Sequence, residues 1–110
     1  MITIEDFLKV DIHAGTILSA ENFPLAKKPA YQLRIDFGDK IGIKNSSAQI
    51  TSLYNREELV GKQILAVTNF PPRQIANFFS EVLVLGTVDE NGAVTLIQPE
   101  RTVNNGDKLA

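Results

Sequence analysis

The sequence predicts an all-β chain closed into a small barrel of five strands, with one short helix before the first strand and another between the third and fourth. Three observations carry that expectation. Tyr31, Leu33, Ile35 and Phe37 alternate with Gln32, Arg34 and Asp36, the period-2 pattern of a half-buried strand. The short apolar runs 63–68 and 82–87 read as strands buried on both faces. Glycine, proline and Asn-Gly steps fall between the runs, where turns are needed.

Taken in order, Thr3-Ile4-Glu5-Asp6 caps a short helix whose Ile4, Phe7 and Leu8 stand at the i, i+3, i+4 spacing of one apolar stripe. Ile12, Ala14, Thr16, Leu18 and Ala20 then form the apolar set of a long first strand, with Gly15 placed for a bulge or tight bend. Pro24 and Pro29 bracket a loop holding Lys27 and Lys28, because proline cannot donate to a ladder. After the turn at Gly38-Asp39-Lys40, Ile41 and Ile43 extend the inward set of a hairpin. If the register pairs like faces, Arg34 and Lys44 share one surface.

Ser46-Ser47-Ala48-Gln49 has the spacing of a capping box, and Ile50, Leu53 and Tyr54 follow as a helical stripe. Asn55-Arg56-Glu57-Glu58 repeats the capping signature, and Gly61 suits a helix stop. Residues 69–81 form a long connection rich in aromatics and proline. Asn91-Gly92 suits a type I′ turn returning through 94–97, and Asn105-Gly106 marks another turn. Three strands, a helix, two strands and a terminal hairpin make the layout of an OB-fold, a Greek-key barrel without raw sheet edges.

The 110 residues, 44% hydrophobic and 22% charged, suit one domain over 1–110. No apolar run approaches the ~20 residues of a membrane span, so no membrane insertion is expected. The start lacks a basic, apolar leader, and there is no cysteine, which excludes disulfides and thiolate chemistry and makes a reducing cytoplasm the natural setting. The net charge is −2, yet residues 27–80 carry eight cations against four anions. An acidic chain can therefore own a basic face.

Enzymatic readings fail for want of parts. His13 is the single histidine and has no partner set, so it reads as a strand residue. Asp36 and Asp39 flank a turn, and Glu57-Glu58 opens a helix; each carboxylate has a local structural use. No catalytic residue, metal site or cofactor is expected. Binding fares better, because the OB-fold groove lies on strands two and three between two loops. There the sequence gathers Lys27, Lys28, Arg34, Lys44 and Arg73 for phosphates, Gln32, Asn69 and Ser80 for base edges or ribose hydroxyls, and Phe70, Phe78 and Phe79 for stacking. Phe70, Pro71, Ile75, Phe78 and Phe79 would equally receive extended apolar peptides.

Asp11-Ile12-His13-Ala14-Gly15-Thr16-Ile17, Gln32-Leu33-Arg34-Ile35-Asp36-Phe37-Gly38, Leu59-Val60-Gly61-Lys62 and Ser80-Glu81 resemble the tRNA-binding OB domain found in free-standing proteins and appended to some aminoacyl-tRNA synthetases. Lys44-Asn45-Ser46-Ser47-Ala48-Gln49-Ile50-Thr51 and Asn69-Phe70-Pro71-Pro72-Arg73-Gln74-Ile75 resemble its branch of bacterial secretion-associated chaperones. The resemblance implies a non-catalytic homodimer that binds unfolded or export-destined polypeptides, with the secretion motor as a candidate partner and tRNA as the alternative ligand. Many tRNA-binding relatives have Gly-Met after the Ser-Glu pair. This chain has Val82-Leu83, as the chaperone branch does, which shifts weight toward polypeptide. Ile4, Phe7 and Leu8, with the C-terminal strands, are the expected dimer contact, since so short a helix needs something to pack against; packing on its own barrel as a lid is the alternative.

Overall fold

The computed structural model describes residues 1–110. It contains α1 (Ile4–Leu8), β1 (Ile12–Asn22), β2 (Tyr31–Asp36), β3 (Ile43–Ala48), α2 (Arg56–Leu59), β4 (Gln63–Val67), β5 (Arg73–Ile75), β6 (Phe78–Ser80), β7 (Leu83–Val84), β8 (Gly86–Val88) and β9 (Val94–Leu96). Five strands form one antiparallel sheet in the order β3-β2-β1-β4-β7, while β5-β6 and β8-β9 are separate hairpins. The sheet curls into a nearly closed barrel of the OB type, as the sequence predicted. Leu33, Ile35, Phe37, Ile17, Leu59 and Ile64 fill it, each at most 1% exposed. No helix is long and apolar enough to cross a membrane.

The first strand keeps its length but not its expected phase. Its register with β2 slips between Ile17 and Ser19, so the irregularity sits at Leu18, which is exposed, and not at Gly15. Gly15 lies where a β-carbon would meet Ile35 and Phe37 side chains at 2.7 Å; a strand approaches the core there too closely for any side chain. Where β2 leaves β1, the C-terminal segment takes over the edge. Ala14 N–H donates to Asp107 C=O, and Gly106 and Leu109 N–H donate to Ala14 and Ile12 C=O at 2.8–2.9 Å.

Several local expectations are corrected. The capping box at Ser46 starts no helix: β3 runs to Ala48, and the wholly buried Ser46 hydroxyl donates to Val82 C=O at 3.1 Å. The helix between strands three and four is the single turn α2, whose N–H at Glu58 is capped by the Asn55 side chain. Residues 69–81, expected as one long connection, hold the β5-β6 hairpin. Leu83, read as buried on both faces, is 51% exposed. The β8-β9 turn is not type I′, because Gly92 (φ 84°) has positive φ and Asn91 does not. A turn closed by Gly92 N–H on Asp89 C=O ends instead in a left-handed glycine.

The β2-β3 turn changes the site most. Gly38 and Gly42 both take positive φ, and the five-residue loop they bound shifts the parity of β3. Ile43 is exposed, whereas Ser46 and Ala48 point inward. The register pairs Arg34 with Asn45 and Lys44 with Ile35. Cross-strand partners share a face, so Arg34 and Lys44 lie on opposite sides of the sheet, contrary to the expectation of one shared surface.

Candidate ligand-binding site

The barrel does not close through a regular ladder at its last seam. β3 is an edge strand of the sheet, and its outward amides need partners. They find them at Ser80 and Glu81, where the chain passes from the hairpin back to the barrel. Asn45 N–H donates to Glu81 Oε1 at 3.0 Å, Glu81 N–H returns to Asn45 C=O at 2.8 Å, and Ser47 N–H donates to Ser80 Oγ at 2.9 Å. The Ser80 hydroxyl, expected to read base edges, is thus committed to the barrel seam.

Above this seam lies a cleft of about 480 Å³, lined by residues 47–50 on one side, by Phe70, Pro71, Arg73 and Ile75 on another, and by residues 80–84 with Gly86, Val88 and Val94. Hairpin geometry sorts the predicted apolar residues. Arg73, Ile75, Phe78 and Ser80 share one face of β5-β6, and Gln74 and Phe79 share the other. Phe70, Pro71, Ile75 and Arg73 therefore meet in the cleft. Phe78 turns to the β1-β2 loop, edge to face with buried Phe23 at a centroid distance of 5.4 Å, and Phe79 stands 56% exposed on the far side. Val82, Leu83, Val84, Val88 and Val94 complete the apolar lining; of these, the sequence predicts Val82, Leu83 and Val84 in a strand buried on both faces. Val82 is buried, whereas Leu83 and Val88 are 51% and 67% exposed, because short hairpins close the cleft where no local pattern signals them.

The polar candidates divide similarly. Lys27, Lys28, Arg34 and Arg73 are exposed. Gln32 is half-buried on the Arg34 side of β2, opposite Ser47. The Asn69 side chain accepts from Asp11 N–H at 2.9 Å and donates to Lys9 C=O at 2.8 Å, tying the approach to the hairpin to the chain before β1. His13 Nδ1 lies 2.8 Å from Thr68 Oγ1, and the His13 main chain bridges to Lys108. The four ion pairs of the molecule use Lys9, Arg56, Arg101 and Lys108. Every cation assigned to the site is free of a carboxylate. On α1, Thr3 and Asp6 form the predicted capping box, yet the helix buries no residue: Ile4 is 65% and Leu8 59% exposed, and Phe7 is half-buried.

Residues 12–108 match the family described as "Putative tRNA binding domain". The fold superposes on the chaperone CsaA of Bacillus anthracis with a TM-score of 0.95 at 54% identity, covering all of this chain and 99% of that one. It superposes on the CsaA chaperone protein of Picrophilus torridus with a TM-score of 0.94 at 56% identity, each chain covered in full. Among curated sequences, methionine–tRNA ligase of Porphyromonas gingivalis is 38% identical over 108 residues, 98% of this chain. The chain spans only 15% of that ligase's length.

Proposed function

The chain belongs to this tRNA-binding domain family, and from that premise we propose that it is a non-catalytic, chaperone-like protein that takes unfolded or export-destined polypeptide segments into the apolar cleft. The observation that carries this reading is the cleft itself, whose apolar lining leaves Phe70 48% and Leu83 51% exposed. Isolated surface apolar residues are ordinary, but a contiguous concave group marks a binding surface. Similarity to CsaA chaperones along the whole chain supports the same choice.

Magnitudes argue for two clefts acting together. Burying a phenylalanine- or leucine-sized anchor is worth ~1.5–3 kcal/mol, so two or three anchors supply roughly 3–9 kcal/mol. Association alone costs roughly 4–15 kcal/mol. One cleft is a weak binder, and a dimer presenting two gains by effective concentration. The uncovered stripe of Ile4, Phe7 and Leu8 is the surface we assign to the second copy, in a homodimer. The secretion motor would act downstream of client capture and follows from the resemblance alone.

The test is suppression of aggregation of a heat-denatured client, followed by light scattering. Phe70→Ser combined with Ile75→Ser is expected to abolish suppression, while circular dichroism and the melting transition stay close to those of the parent. Full suppression by that variant would reject the cleft as the polypeptide site. tRNA is the second reading, favoured by the free cations Lys27, Lys28, Arg34 and Arg73 and by the family itself. Here phosphates would lie along the outer face of β2, and the exposed Phe79 ring would be available for stacking.

A further inference from the structure

We propose that Ser80 and Glu81 are positioning residues, whose side chains set the β5-β6 hairpin against β3 and thereby fix the shape of the cleft. Their significance for ligands rests on the reading above; their mechanical role does not. β6 ends at Ser80 and β7 begins at Leu83, so no main-chain ladder joins the hairpin to β3 along this stretch. A main-chain N–H in a sheet edge is costly to leave unpaired once water is excluded. Glu81 Oε1 and Ser80 Oγ act as the missing carbonyls, accepting from Asn45 and Ser47.

The arrangement couples the seam to the cleft. Ser47, Ser80 and Glu81 all line it, and the opposite wall, Arg73 and Ile75, pairs with β6 and makes no ladder of its own with β3. Remove the two acceptors and this stretch keeps two hydrogen bonds to β3, Glu81 N–H to Asn45 C=O and the Ser46 hydroxyl to Val82 C=O, about which the hairpin can shift. A ligand in the cleft should, in turn, hold the seam shut.

Amide hydrogen exchange of the full chain, resolved by residue, tests this directly. Glu81→Ala is expected to raise exchange at Asn45 and Ser47 at least about tenfold while leaving Leu33 and Ile35 unchanged, because local opening is separate from global unfolding. Glu81→Gln retains a carbonyl acceptor and should restore protection, which a mere volume effect would not. Ser80→Ala, the milder change, should raise Ser47 exchange alone. In parallel, reduced carboxymethylated lactalbumin serves as the probe: Glu81→Ala should weaken its binding about tenfold and Glu81→Gln should recover it. Wild-type exchange at Asn45 in Glu81→Ala, or an equal rise at Leu33 and Ile35, would overturn the inference. Failure of the unaltered protein to bind lactalbumin would overturn the polypeptide reading, and the exchange result would still decide the role of the seam.

Discussion

A β-carbon on Gly106 would stand 2.6 Å from the Phe37 carbonyl oxygen, and one on Gly38 would stand 2.5 Å from the carbonyl oxygen of Asn105. The C-terminal segment and the end of β2 are thus interlocked backbone against backbone. That contact anchors the run of main-chain hydrogen bonds by which residues 106–109 continue the sheet along β1.

Gly106→Ala is therefore expected to cost clearly more than Gly92→Ala. Both residues have positive φ, 94° and 84°, and each alanine bears the left-handed penalty of ~1–2 kcal/mol. Only Gly106 adds an overlap with main chain; nothing lies within 4 Å of a β-carbon at Gly92. Urea unfolding of the two variants gives the comparison, and equal losses would show that the C-terminal segment is not locked in place.

Phe23 and Phe78 should couple in a double-mutant cycle. Their edge-to-face contact at 5.4 Å joins the loop carrying Lys27 and Lys28 to the tip of the β5-β6 hairpin. Such pairs are worth ~0.5–1.5 kcal/mol beyond area burial. Unfolding measurements on Phe23→Leu, Phe78→Leu and the double variant should return an interaction of that size. A value near zero would mean that the hairpin tip is held by something else.

How far this fold can be read from sequence depends on where the deciding contact lies. The barrel, the α1 capping box and the Asn55 cap are local or periodic features, and each leaves a pattern within a few residues. Ser46 shows the opposite case. Its capping-box spacing is real, but a hydrogen bond to Val82, 36 residues on, and pairing with Leu33 outweigh the one or two bonds a cap supplies. Tertiary pairing overrides local propensity there.

The site was partly legible for the same reason. Phe70, Pro71, Arg73 and Ile75 are neighbours in sequence and meet in one cleft. Arg34 and Lys44 are separated by a loop with two left-handed glycines, and the parity of that loop decided their faces. No residue-level pattern gives that parity. The roles of Ser80 and Glu81 were hidden because their partners are main-chain groups on β3, for which sequence offers no signature.

The α1 stripe gives a prediction about assembly. Ile4 and Leu8 are mostly exposed, so Ile4→Ser with Leu8→Ser should change monomer stability by no more than about 0.5 kcal/mol each, as for surface substitutions generally. In sedimentation equilibrium the parent is expected as a dimer and the double variant as a monomer. A variant that remained dimeric would move the contact away from α1.

Salt response separates the two ligands and also reports on the face reversal at β3. Neutralising a phosphate on a single-stranded segment contributes about −0.7 to the slope of log affinity against log salt. Three such contacts give a slope near −2 and about a 20-fold loss between 50 and 200 mM salt, whereas apolar capture of polypeptide should hold or strengthen. If tRNA lies along the outer face of β2, Arg34→Gln should reduce the slope by about one contact. Lys44→Gln, on the opposite side of the sheet by register with Ile35, should leave it unchanged. Filter binding of labelled tRNA across that salt range is sufficient. Equal effects of the two substitutions would place the nucleic acid at the barrel rim, within reach of both side chains, and not on the face; no measurable binding at the lowest salt would leave polypeptide as the ligand of this domain.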